Sequence, residues 1–147
     1  MTLSASDRLE IQNLNSRHFH SLDALDRLLS GDPAETWANT FHDDGTFQTQ
    51  TSDGTIIFQA KGHKELVNAH RGFPDISTTR HWISNLLIEP HAEGARLSSY
   101  IIAMNIGVNP STIIRTGIYD DFVTFKNGAW LYRKKILILD AFSPSAE

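Results

Sequence analysis

Four long apolar runs, 78–89, 95–108, 112–125 and 130–140, fill the second half of the chain, and only a few residues separate each from the next. The separators read "PHAEG", "NPS" and "KNG", which is turn chemistry. A parallel pair of strands needs a crossover of a dozen or more residues, so links this short predict an antiparallel meander. The first half follows another rhythm. Leu9, Ile11, Leu14, Phe19, Leu22 and Leu25 recur at helical spacing behind Ser6, predicting a helix from Asp7 to Leu29 capped by Ser6. Asp32 and Pro33 open a second helix, "DPAETWANTFH". "DDGTFQTQ" and "IIFQA" read as strands around an "SDGT" hairpin turn, and "GHKELVNAHRG" as a third helix closed by glycine. Helices first and strands last, without a βαβ alternation, give an α+β fold with three N-terminal helices on one face of a curved, mostly antiparallel sheet. Such an arrangement leaves a pocket between the helices and the concave face.

Length and charge narrow what the pocket can serve. At 147 residues, 1–147 is expected to form a single domain with a sizeable core. The net charge of −4 offers no basic surface, which argues against nucleic acid and anionic membrane as partners. Without cysteine there are no disulfides, thiol nucleophiles or thiolate metal sites. "MTLSASDRLEIQ" lacks the features of a signal peptide, and no apolar run approaches the roughly 18 residues of a membrane span. A cytoplasmic location is the expectation.

Within "TTRHWISN", alternation places Thr79, His81, Ile83, Asn85 and Leu87 on one face and Arg80, Trp82, Ser84, Leu86 and Ile88 on the other. Both faces are mixed, so the pattern leaves two readings of His81: a histidine bonded to backbone, or the working end of a site. Asp23 lies one helical turn past Phe19, at the edge of the apolar stripe. Alone, it reads equally as a solvated carboxylate paired with Arg27, worth a few tenths of a kcal/mol at most. The remaining histidines do not assemble a metal site. His18 and His20 point in different directions, and His63 and His70 are about 10 Å apart along a helix. Tyr119 and Asp121 share a strand face in "GIYDDF", as do Arg133 and Lys135 in the last run.

Read together, "LEIQNLNSRHFHSLDALD", "WANTFHDDGTF", "TRHWISN", "TGIYDDF" and "NGAWLYRKK" resemble the SnoaL-like branch of the NTF2-like superfamily in order and spacing, over about residues 5 to 140. Its nearest look-alikes there are the hexachlorocyclohexane dehydrochlorinase and, further off, scytalone dehydratase. The resemblance implies a cone-shaped fold in which Asp23 and His81 form a dyad at a pocket. It places His18, Phe19, Asn85, Tyr119 and Lys135 around a bound molecule. His18 stands where the dehydrochlorinase has a lysine, and Lys135 where it has an arginine. The strand "RLSSYIIAMN" lacks the second histidine that scytalone dehydratase uses.

A carboxylate on one imidazole nitrogen fixes the tautomer and leaves the other nitrogen free to take a proton. The implied activity is a cofactor-independent, metal-free lyase or isomerase of the dehydratase, dehydrohalogenase or cyclase kind. Its substrate would be a small hydrophobic cyclic, polyketide or terpenoid molecule. The rival is a non-catalytic ligand binder or oligomer builder resembling a ring-hydroxylating dioxygenase β subunit, favoured by an exposed apolar face around Trp82, Leu86 and Ile88. Both readings imply a homo-oligomer, a dimer or trimer.

Overall fold

The computed structural model describes residues 2–145, so Met1, Ala146 and Glu147 of the expected 1–147 domain lie outside the described residues. Helix α1 spans Ala5–Leu22. Its N-cap is Ser4 rather than Ser6: Ser4 Oγ accepts from the Asp7 amide at 3.0 Å, and Asp7 Oδ2 accepts from the Ser4 amide at 2.8 Å. The three-residue spacing of serine and aspartate forms a capping box, which satisfies two otherwise orphaned amides at once. The helix stops at Leu22, seven residues short of the expected Leu29. Asp23 is its C-cap, and Ala24 at φ 51° turns the chain away.

Asp32 and Pro33 start helix α2, Pro33–Ala38, as the sequence predicts, with Asp32 Oδ1 accepting from the Ala34 amide at 3.0 Å. This helix ends four residues early because the Thr40 carbonyl accepts from the Tyr132 amide, drawing the chain into the sheet. Strand β1 therefore spans Phe41–Gln50, and a Gly54 turn joins it to β2, Ile56–Lys61. Helix α3, His63–Gly72, follows. After a short 3₁₀ turn, Ile76–Thr78, come β3 Thr79–His91, β4 Gly94–Asn105, β5 Thr112–Lys126 and β6 Ala129–Leu139. The meander is as expected, and "KNG" closes β5 onto β6 through Asn127 and Gly128, both at positive φ.

The six strands lie in the order β2-β1-β6-β5-β4-β3, antiparallel throughout except for the β1–β6 pair. Irregularities in all five strand pairings bend and twist the sheet around the helices. The core lies on the concave side. There Ile11, Leu14, Trp37, Leu66 and Val67 of the helices meet Leu97, Ile101, Val123, Tyr132 and Leu139 of the sheet. Three polar ties seat α1: Arg8 donates to the Ile88 carbonyl, Trp130 Nε1 to Asp7 Oδ1, and the Tyr132 hydroxyl to Asn15 Oδ1.

Simple alternation fails in β3. Asn85 sits at φ 56°, and the register with β4 slips between Ser84 and Leu87. The bulge reverses which side chains face inward. Ile83, Leu86 and Ile88 pack toward the helices, while Trp82 and Leu87 are about half exposed on the convex side. The expected outward set of Trp82, Leu86 and Ile88 is thereby corrected to Trp82 and Leu87. Among the described residues no helix is long and apolar enough to cross a membrane.

Candidate active site

The end of α1 and the beginning of β3 meet, and the meeting point is a carboxylate against an imidazole. Asp23 Oδ1 lies 2.5 Å from His81 Nδ1, and Oδ2 accepts from the His81 backbone amide at 3.0 Å. Both side chains are almost fully buried. A carboxylate in this position can only accept, so Nδ1 carries a proton, and in the neutral ring Nε2 is the acceptor nitrogen. The two-point grip fixes strand and ring together. Asp23 makes no ion pair with Arg27 among the described residues; its partner is His81. The Phe19 ring packs 5.8 Å from the imidazole, so the one-turn spacing of Phe19 and Asp23 delivers both side chains to the same histidine.

His81 lines a cavity of about 310 Å³ between the helices and the concave sheet. Its walls are mainly apolar: Leu22, Phe47, Phe58, Phe73, Ile114, Leu137 and Leu139. Tyr119 also lines it. Burial pushes the Tyr119 phenol well above its usual range, so it remains an O–H donor at neutral pH.

The other expected ligand contacts are placed elsewhere. Asn85 is exposed on the bulge and does not line the cavity, because the left-handed turn there ends the alternation that carried His81 inward. His18 is fully buried behind the site. Its Nε2 accepts from Trp37 Nε1 at 3.2 Å, and its Nδ1 donates to Thr40 Oγ1 at 2.8 Å, a hydroxyl that in turn donates to the Trp37 carbonyl. An indole N–H can only donate, so this network requires a neutral ring. Burial, reinforced by the Lys135 charge, holds the His18 pKa well below its ordinary value. The expected contact of His18 with a bound molecule is therefore corrected to a neutral, buried support behind the cavity.

Lys135 is likewise corrected from pocket wall to buried support. Its Nζ lies 2.7 Å from Asp121 Oδ2 and 4.2–5.0 Å from the ring centres of Tyr132, Tyr119 and Phe19. Burial lowers the Lys135 pKa and raises that of Asp121 to about 6, and the close contact between the two favours the ion pair. Phe19 is 5% exposed and touches the site through His81 and Tyr119, not through the cavity surface. Sequence reasoning missed Arg115, which does line the cavity. The signal was available: 115, 117, 119 and 121 share one face of β5 by strict alternation.

Helices packed on a bent, mostly antiparallel sheet are the fold of NTF2-like proteins with a cystatin-like fold. A Nostoc punctiforme protein of unknown function with this fold is 29% identical, covering 98% of both chains with a TM-score of 0.76. A Novosphingobium aromaticivorans protein described as a candidate scytalone dehydratase is 22% identical over 91% of this chain and 84% of its own, with a TM-score of 0.68. The β subunit of a candidate aromatic-ring-hydroxylating dioxygenase from the same organism is 18% identical over 92% and 90%, with a TM-score of 0.72. No sequence among curated proteins matches the chain. The SnoaL-like domain matches residues 4–135, and the chain belongs to that family.

Proposed function

We propose that the protein is a cofactor-independent lyase or isomerase in which His81 Nε2 removes a proton from a small hydrophobic molecule, cyclic, polyketide-like or terpenoid. The observation that carries this reading is the grip of Asp23 on Nδ1 while Nε2, without a hydrogen-bond partner among the described residues, belongs to a ring lining the cavity. Its volume of about 310 Å³ suits a small organic ligand. In the reaction the C–H electron pair stays on the substrate while the proton moves to Nε2. Asp23 stabilises the imidazolium that forms. Expulsion of a β-hydroxyl or halide completes an elimination, and return of the proton to another carbon completes an isomerisation. A base so positioned contributes roughly 10²–10⁴ in rate.

Proton abstraction is measurable before the product is known. The protein is incubated in D₂O with a panel of cyclic ketones and β-hydroxy carbonyl compounds, and deuterium incorporation at the acidic carbon is followed by mass spectrometry. Wild type should exchange at least one of them, and His81→Gln should lose about two orders of magnitude or more. Equal exchange by both proteins would remove His81 as the base. A second reading, an oligomer-building protein without catalysis, is favoured by the exposed Trp82, Tyr100, Ile102 and Ile118 on the convex face. It predicts no His81-dependent exchange with any compound.

A further inference from the structure

The cavity holds a charge that the proton abstraction leaves unused. His81 pairs in register with Ala103 of β4, and Ala103 with Arg115 of β5. The three residues thus form one cross-strand row on the concave face, with a fully buried alanine in the middle. Strands lie about 4.8 Å apart, which puts the His81 and Arg115 backbones about 10 Å from each other across a side chain too small to separate them. Arg115 is half-buried and lines the same cavity as His81.

Arg115 joins no ion pair and no side-chain hydrogen bond among the described residues, whereas Arg71, Arg96 and Arg133 each meet an aspartate. The carboxylate in the cavity lining, Asp75, is exposed and forms no ion pair with it. A guanidinium facing an apolar cavity without a counter-ion is costly unless a ligand supplies one. On the same strand face lies the Tyr119 hydroxyl, with Gly117 between the two, so no intervening side chain blocks the wall. The Arg115 charge is felt at the Tyr119 phenol, where it works against the larger effect of burial.

We propose that Arg115 is an anion-holding residue and that the pocket takes a hydrophobic carboxylic acid, its carboxylate forked by the guanidinium. The paired donors of arginine match the two oxygens of a carboxylate, and the apolar walls accept the rest of the molecule. Joined to the proposed chemistry, on which this part rests, the row sets the acid's carboxylate on one side of Ala103. Its acidic C–H then lies on the other, under His81 Nε2. The anion site also discriminates: a neutral halogenated hydrocarbon of the same size would leave Arg115 uncompensated.

The test is calorimetric. Cyclohexanecarboxylate, phenylacetate and 1-naphthoate are titrated into wild type, Arg115→Gln, Arg115→Lys and His81→Gln, each beside its methyl ester. Wild type should bind at least one acid about 10- to 100-fold more tightly than its ester, the worth of a charge-assisted hydrogen bond. Arg115→Gln should abolish that preference, Arg115→Lys should keep part of it, and His81→Gln should keep it whole. Thermal melts of each variant show that it is folded. An acid–ester preference that survives Arg115→Gln, or none in wild type, overturns the proposal. Deuterium exchange on phenylacetate and cyclohexanecarboxylate, which carry a C–H beside the carboxylate, separates the two ideas. Acid preference without His81-dependent exchange leaves the anion site standing and removes the base. Exchange without acid preference does the reverse.

Discussion

At the scale of single residues, the site depends on which nitrogen of one histidine holds a proton. Asp23 contacts both the His81 amide and Nδ1, so Asp23→Asn keeps the shape while letting the ring adopt either tautomer. The expected result is a loss of about 10²–10⁴ in exchange or turnover, with Tm lowered by no more than ~2–4 °C. Nitrogen-15 NMR should show a single Nδ1–H tautomer in wild type and a mixture in the variant. A single tautomer in both would mean that something other than Asp23 orients the ring. The buried histidines make a separate prediction. Burial lowers the His18, His42 and His70 pKa values, so below pH 6.5 the unfolded chain takes up protons that the folded chain refuses. Stability is then present above 6.5 and is lost as the pH falls below it. Asp121 acts oppositely: with its pKa raised to about 6, the folded chain takes up that proton first and gains stability as pH falls below 6. Three histidines outweigh one carboxyl, so urea unfolding should give a lower free energy at pH 5 than at pH 7. A flat profile between the two would contradict the neutral, buried assignment of His18.

Among the elements, what could be read in advance depended on whether the signal was local. The meander, the Asp32–Pro33 start of α2 and the Asn127–Gly128 hairpin each follow from residues a few positions apart, and each is present. Asp23 and His81 are 58 residues apart, and no periodicity joins them; the resemblance to a family did. The end of α1 was missed because Leu25 continues the helical stripe, while the force that ends the helix is a tertiary contact from β3. The resemblance set Lys135 at the pocket and alternation set Asp121 on the face of Tyr119, yet neither signal reports depth. The β3 bulge escaped for a similar reason: asparagine tolerates left-handed backbone but does not announce it. That bulge can be tested. With Asn85 at φ 56°, Asn85→Gly should be neutral or slightly stabilising, whereas Asn85→Val should cost about 1–3 kcal/mol in urea unfolding. Equal stability of the two variants would show that the left-handed turn is not held in place.

As a whole molecule, the bent sheet has two unlike sides, and each sets a requirement. Helices cover the concave side and leave a mainly apolar cavity lined by the His81 imidazole and by the Arg115 guanidinium, which has no ion-pair partner among the described residues. No helix covers the convex side. There the register aligns Trp82 with Ile102 and Tyr100 with Ile118, and all four side chains are between 40% and 57% exposed. Past them, Glu89 pairs in register with Arg96, Arg96 pairs with Phe122, and Phe122 with Lys134, while Arg96 also holds Asp120. A band of apolar residues bordered by charges of both signs is complementary to itself under a two-fold rotation, and the occupant it best fits is a second copy of the chain. Self-association of this kind would leave the cavity on the far side of each sheet untouched. Sedimentation equilibrium should therefore find wild type as a dimer, and Ile102→Glu, which sets a carboxylate in the middle of the band, as a monomer with an unchanged far-UV spectrum. Acid binding at Arg115 should be the same in both. A wild type that sediments as a monomer at tens of micromolar would show that the convex face serves something other than this chain, and an Ile102→Glu variant that stays assembled would move the contact to another surface.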